Sequence, residues 1–148
     1  MPDPSYNTKV YTKQGGDEMI VANLGKITEE AGGAILGRSV LNSYAADIGT
    51  AGSSFVVCPF AGTIVGLGVV NHGANAGTKT VLLAKLGGVT VTAPAWEVAV
   101  TAAAGTGVSV VPTAANTVAA GDVIEIAYDG GSSNVTPATF SLTILRSS

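Results

Sequence analysis

The segment Ala138-Thr139-Phe140-Ser141-Leu142-Thr143-Ile144-Leu145 decides the fold class of this chain. Its large apolar residues alternate with hydroxyl-bearing ones, a pattern typical of a β-strand with one buried face. A second segment, Val123-Ile124-Glu125-Ile126, repeats the pattern and places Glu125 out of step with the core-facing isoleucines. Both segments therefore predict strands that contribute one face to a hydrophobic core.

Seven further segments have the composition of short strands, and glycine-containing turns such as Gly87-Gly88 and Asp129-Gly130-Gly131 separate them. No eleven-residue window shows a helical stripe of apolar residues. Eight or nine strands at spacings of about 8–12 residues are typical of a sandwich or barrel. We predict an all-β fold, a two-sheet, jelly-roll-like β-sandwich. The predicted strands cover residues 40–47, 54–60, 63–70, 78–86, 89–92, 96–101, 108–112, 122–128 and 138–145.

Charge divides the chain into two parts. Charged residues make up 11% of the 148 residues, against roughly 25% in an average soluble domain. Nine of them lie in residues 1–38, and only eight lie in the remaining 110 residues. We therefore predict an N-terminal arm of short strands and turns over residues 1–38 and a β-sandwich domain over residues 39–148.

The composition argues against a membrane or nucleic-acid partner. The longest stretch of low polarity, Phe55 to Val70, contains Pro59 and three glycines, whereas a membrane span needs about 20 apolar residues in sequence. The net charge is −3 and the lysines and arginines are scattered singly, so no basic patch for nucleic acid is expected. Met1-Pro2-Asp3-Pro4 does not resemble the start of a signal peptide, and we expect synthesis in a cytoplasm.

The residues for catalysis or metal binding are few, and we predict no enzyme, no cofactor and no metal site. His72 is the single histidine, in a predicted loop, and Cys58 is the single cysteine, in an apolar strand. A nucleophile and base would still need a third, orienting group, and one histidine with one cysteine cannot complete a zinc site. Asp17-Glu18 and Glu29-Glu30 are adjacent pairs, and neighbouring residues on a strand face opposite ways. They are therefore poor candidates for the paired carboxylates of a glycosidase site.

The arm has an imperfect repeat in which isoleucines recur at intervals of seven and eight residues between glycines. Segments this short cannot bury a core alone, and edge-to-edge pairing with another chain would satisfy their backbone groups. A loose hairpin folded onto its own domain is the alternative. Tyr6 and Tyr11 are aromatic residues in a polar arm, which favours an interface role for them. The acidic pair Glu29-Glu30 suits contacts with basic residues of a partner. The predicted partner-binding residues are Tyr6, Tyr11, Ile20, Ile27, Glu29, Glu30 and Ile35.

Three stretches carry a resemblance to a known class of proteins. Phe55–Gly66, with its Pro59-Phe60-Ala61-Gly62-Thr63-Ile64 core, resembles the opening hairpin of small β-sandwich decoration proteins on tailed-bacteriophage capsids. Val118–Ile126 is similar to their penultimate strand, which follows a Gly-Asp turn. Gly15–Gly37 is similar to the arms of phage head-fibre and decoration (cement) proteins.

The resemblance implies a homotrimer on the outer surface of a virion, where it binds the major capsid protein and staples neighbouring capsomers. The alternative is a head-fibre or tail-knob module that binds a host receptor or glycan. The amides of Asn71, Asn75 and Asn134 are the hints of a glycan site in the sequence. We expect Trp96 to fill the core or a subunit contact rather than to stack on a sugar.

Overall fold

The computed structural model describes residues 10–12, 19–21 and 37–147. The chain divides into two units, Met1–Ile35 and Leu36–Ser148. In the first unit, strand β1 (Val10–Thr12) pairs antiparallel with strand β2 (Met19–Val21). The short apolar piece at residues 19–21 is therefore a strand, and its partner in the described residues comes from the same chain.

Within residues 37–147 the described elements are all strands and turns, with no helix. Each of the nine predicted segments overlaps an observed strand, and the all-β prediction is confirmed. The two-residue strand β10 was not predicted. The strands are β3 (Arg38–Ala45), β4 (Gly52–Val57), β5 (Gly62–Asn71), β6 (Thr80–Leu86), β7 (Val89–Thr90), β8 (Glu97–Val98), β9 (Gly107–Val110), β10 (Thr117–Val118), β11 (Val123–Tyr128) and β12 (Ala138–Arg146).

These strands form two antiparallel sheets, as a β-sandwich requires. In the first sheet the order is β3-β12-β5, and both β9 and β10 pair with the far edge of β5. In the second sheet the order is β4-β11-β6, and both β7 and β8 pair with the far edge of β6. In the unit Leu36–Ser148, the first strand, β3, thus pairs with the last, β12, and the second strand, β4, pairs with β11.

The segment Phe55–Gly66 is a crossover and not the hairpin that the resemblance implied. Its first part lies in β4, which pairs with β11, while its second part begins β5, which pairs with β12. The connection between them passes from one sheet to the other. Cys58 lies in this connection, is fully buried, and its thiol donates to the carbonyl oxygen of Phe60 at 3.0 Å.

The core lies between the inward faces of the two sheets. Phe140, near the start of β12, is fully buried, and the rings of Trp96 and Phe140 meet edge-on with centroids 6.0 Å apart. The ring of Tyr128 stacks on that of Phe140 with centroids 6.3 Å apart. Trp96 is only 3% exposed, so it fills the core as predicted. The isoleucines Ile124 and Ile126 are also fully buried.

Asp47 organises the corner where the chain leaves β3 for the other sheet. Its Oδ1 accepts the backbone N–H groups of Gly49 at 2.7 Å and Thr136 at 2.9 Å, and its Oδ2 accepts the hydroxyl of Thr50 at 3.0 Å. The Thr136 amide has the largest effect in lowering the pKa of Asp47, although partial burial opposes it. The carboxylate therefore ties the β3–β4 corner to the segment that leads into β12.

Candidate interaction surfaces

The outward side of the β4-β11-β6 sheet carries apolar side chains where an antiparallel sheet usually presents polar ones to water. Phe55 is 62% exposed, Val57 59%, Val123 50% and Leu83 43%. Each of them alternates along its strand with a side chain that faces the core. We call this surface the apolar face, and its nine outward residues are Ser53, Phe55, Val57, Val81, Leu83, Lys85, Val123, Glu125 and Ala127.

One ion pair crosses the middle of the apolar face. Lys85 and Glu125 are directly opposite in the β6–β11 register, with Nζ 3.5 Å from Oε1. The hydroxyl of Ser53 donates to the same carboxylate oxygen at 2.6 Å. This hydroxyl, and then the Lys85 ammonium, lower the pKa of Glu125, while burial opposes them. The face as a whole is electrically neutral, and its charges are satisfied within the chain.

Two hollows flank β6. The first, of about 330 Å³, opens on the apolar face and is lined by Val81, Leu83, Ala127, Tyr128 and Asp129. The second, of about 320 Å³, lies between β6 and residues 90–96. It forms because the chain between β7 and β8 leaves the edge of β6 and pairs Thr92 with Ala114 instead.

The outward side of the other sheet differs in composition. Its central strand β12 presents Thr139, Ser141 and Thr143, and β5 presents Gly66 and Gly68 opposite the last two. Val40 and Tyr44 on β3, Val70 on β5 and Leu145 at the end of β12 are exposed, but Thr139, Ser141 and Thr143 of β12 separate the two on β3 from Val70. We call this surface the hydroxyl face, and its outward residues are Arg38, Val40, Asn42, Tyr44, Thr63, Gly66, Gly68, Val70, Thr139, Ser141, Thr143 and Leu145.

The structure describes only part of the predicted binding site. The backbones of Tyr11 and Ile20 lie opposite each other in the β1–β2 pair. Tyr6, Ile27, Glu29, Glu30 and Ile35 lie outside the described residues. The role of the arm in binding therefore stays a prediction.

Sequence reasoning missed the apolar face, although a signal for it was present. Phe55-Val56-Val57 and Val81-Leu82-Leu83 are continuous apolar runs in strands. A strand with one wet face alternates between apolar and polar residues, whereas a continuous run indicates that both faces are covered. In these two segments both faces of the strand are apolar, although the outward face is exposed. The outer surface there has the composition of a buried one.

The loop amides that suggested a glycan site are mostly internal, and that interpretation is wrong for two of them. Asn71 is fully buried, and its Nδ2 donates to the carbonyl oxygens of Gly73 and Ala103 at 2.7 and 2.9 Å. Asn75 is 4% exposed, and its Nδ2 donates to three backbone carbonyls. Both side chains hold loops together, and only Asn134 is exposed.

The two residues that could have served a nucleophilic site occupy different environments. The Cys58 thiol is buried, whereas His72 is exposed, with Nε2 2.8 Å from the hydroxyl oxygen of Thr139. In the part of the chain that the structure describes, no three His, Cys, Asp or Glu residues are grouped so that they could hold a metal ion. A search of the same residues finds no helix suited to crossing a membrane.

Comparison with protein-family models, with curated proteins and with solved structures finds no match for this chain. The functional argument therefore depends on the surfaces themselves. Of these, the apolar face is the most unusual for a β-sandwich, because its exposed Phe55, Val57 and Val123 adjoin one another, and a contiguous apolar patch on a face exposed to water indicates a partner.

Proposed function

We propose that this chain is a structural virion protein that binds the outer surface of an assembled tailed-phage capsid and staples neighbouring capsomers. The observation that carries the proposal is the exposed apolar face, which suits assembly of several copies, on a unit separate from the charged arm, which is left to contact the shell. Contiguous exposed apolar surface on a small domain indicates a protein partner. The unit offers few charges for recognising a nucleic acid or an ionic substrate.

The strand order supports the finer assignment of the sandwich as a jelly roll. Pairing of β3 with β12 and of β4 with β11 is what a long hairpin gives when it folds over on itself. Jelly rolls are common among capsid and lectin domains. The turn before β11 supports the resemblance locally, because Gly121 has a φ of 93° and Asp122 accepts the N–H of Ala119 at 2.8 Å.

Several copies acting together suit the stapling role. A symmetric trimer would present three identical arms to the shell, so that weak single contacts combine into firm attachment. The arm holds over half of the charged residues and supplies polar contacts specific to the capsid protein. The sandwich holds the copies together.

A host-binding head-fibre or tail-knob module is the second candidate, and the structure supports it less. Burial of Asn71 and Asn75 removes two of its three amide hints. Burial of Trp96 removes the aromatic platform that a sugar ring would need.

Reconstitution on capsids tests the proposal. Undecorated shells, assembled from the major capsid protein encoded in the same genome, are mixed with the full chain or with residues 36–148 and imaged by electron microscopy. We expect added density on the outer surface with the full chain and none with the fragment. The fragment keeps all of β3 and the carbonyl of Gly37, which accepts the N–H of Arg146 at 3.0 Å.

Point variants refine the same experiment. Ile27→Asp should weaken binding to the shell more than the neighbouring Lys26→Ala, since it places a charge in a contact that the proposal makes apolar. Absence of density with the full chain at micromolar concentration would contradict the proposal. Undiminished binding of the fragment would move the attachment from the arm to the sandwich.

A further inference from the structure

The side chain of Phe55 projects from the apolar face into solvent instead of packing in the core of its own chain. It lies on β4, which pairs with β11 along its length. Its side chain is 62% exposed, and Val57 and Val123 beside it are 59% and 50% exposed. A large aromatic side chain so exposed among apolar neighbours has the character of an interface anchor.

The same face contains a hollow that Phe55 of its own chain does not fill. The hollow of about 330 Å³ is bordered on the side of Phe55 by Leu83 and Ala127, which are opposite each other in the β6–β11 register. Phe55 is opposite Glu125, two residues along β11 from Ala127. Since strands lie about 4.8 Å apart and residues advance about 3.4 Å, the projection and the hollow are separated by roughly 10 Å.

The electrostatics of the face select its partner. The Lys85–Glu125 pair lies in the same cross-strand row as Phe55, beside the row of Ala127 and Leu83 that borders the hollow, and the Ser53 hydroxyl also donates to the carboxylate. The two charges of the pair compensate each other, and the Asp129 carboxylate beside the hollow accepts the N–H of Val81 at 2.8 Å, so a charged partner would gain little there and would lose its own hydration. A neutral partner with one aromatic projection and one apolar hollow fits best, and a second copy of this chain has both.

We infer that Phe55 of one copy inserts into the hollow lined by Val81, Leu83, Ala127, Tyr128 and Asp129 of the next copy. The contact is heterologous between projection and hollow, and repeated around a symmetry axis it closes a ring. This inference deepens the self-association that the proposed function includes. Its test needs no capsid, so failure of the inference and failure of capsid binding are distinguishable.

The mass of the full chain in solution tests the contact. Light scattering coupled to gel filtration should give about three times the monomer mass of 14.6 kDa for the natural chain. Phe55→Glu should move the chain to monomer, with a shift of at least tenfold in the concentration needed for assembly. Tyr44→Glu is the matched control, because Tyr44 is 59% exposed on the hydroxyl face, and it should keep the assembled mass.

A mixing experiment separates insertion from a general loss of stability. Ala127→Trp blocks the hollow but leaves Phe55 in place, whereas Phe55→Glu leaves the hollow open. Each variant alone should be monomeric, and their mixture should form a heterodimer through the one intact contact. Circular dichroism of each variant should retain the β-sheet spectrum, and if Phe55→Glu unfolds, Phe55→Ser replaces it.

Three results would overturn the inference. The first is a natural chain that is monomeric at micromolar concentration. The second is dissociation by Tyr44→Glu without dissociation by Phe55→Glu. The third is failure of the mixed variants to associate. A monomer whose capsid binding is lost with Phe55→Glu would assign the apolar face to the shell protein.

Discussion

The two outer faces of the sandwich have the same construction and different surfaces. Each is formed by the outward side chains of three antiparallel strands, which pair across the strands. On the apolar face, exposed Phe55, Val57 and Val123 adjoin one another, and the single ion pair is closed within the chain. On the hydroxyl face, the threonine and serine side chains of β12 lie between the exposed apolar residues of the flanking strands.

The difference shows which part of a β-sandwich is free to evolve for binding. Folding requires only that the inward side chains be apolar, and both sheets meet that requirement. The outward side chains add little to the stability of a single chain and instead determine what the surface contacts. An outward row that is as apolar as an inward one therefore indicates a covering partner.

The largest expected effect comes from a substitution beneath both faces. Phe140 contacts Trp96 and Tyr128 and is fully buried, so Phe140→Ala should lower the free energy of unfolding by about 3–5 kcal/mol. Phe55→Ala, measured by urea denaturation at a concentration where the chain is monomeric, should change it by less than about 0.5 kcal/mol. Equal losses from the two substitutions would mean that the apolar face is part of the folding core.

A smaller effect is expected at the corner that joins the sheets carrying the two faces. Asp47→Ala removes the acceptor for the amides of Gly49 and Thr136, and it should cost about 1–2 kcal/mol because buried donors lose a charged partner. The pKa of Asp47 is lowered in the folded state. Its stabilisation is therefore complete above the ordinary carboxyl pKa of about 4 and is lost as the pH falls through the lowered value.

Denaturation curves at several pH values check the Asp47 prediction. The natural chain and Asp47→Asn should differ most near neutral pH, and their stabilities should converge as the carboxylate protonates in acid. Asp122→Asn is a suitable control, since Asp122 also accepts a backbone N–H, that of Ala119 at 2.8 Å, but its contact stays within one turn and ties no distant segment to it. A constant difference across the pH range would contradict the role given to the charge.

The smallest effect is expected at the ion pair of the apolar face. Glu125→Gln should lower stability only slightly, because pairs accessible to water contribute little and salt screens them. The pKa of Glu125 is lowered by Ser53 and Lys85, so the effect should be present above about pH 4.3 and disappear as the pH falls through the lowered value. Glu97→Gln, which breaks the exposed Lys79–Glu97 pair, is the control. A large loss of assembled mass with Glu125→Gln would show that the pair bridges copies.

Local pattern was sufficient to predict the strands and much of the core. The alternation in residues 138–145 identified Phe140, Leu142 and Ile144 as inward-facing, and each is fully buried. Glu125 was likewise placed on the outward side of its strand. Strand periodicity is a local property, so a short window of sequence contains it.

Local pattern could not assign the faces of the continuous apolar runs. Phe55 and Val56 are both apolar, and alternation alone leaves open which of them is inward. The β4–β11 register decides, because it sets Val56 opposite the buried Ile124 and Phe55 opposite Glu125. Sheet register depends on contacts between residues about 70 positions apart, and a one-residue slip would exchange the two faces.

The sequence by itself determined the all-β class, the strand positions and the inward residues of the alternating strands, since these follow from periodicity and turn chemistry. Only the tertiary structure decided that residues 55–66 cross between sheets and that Asn71 and Asn75 serve buried loops. It also decided that Phe55 and the hollow around Leu83 share one face. These features arise where distant segments meet, and the backbone carbonyls that bury an asparagine, or the strand that turns a phenylalanine outward, are supplied by parts of the chain remote in sequence.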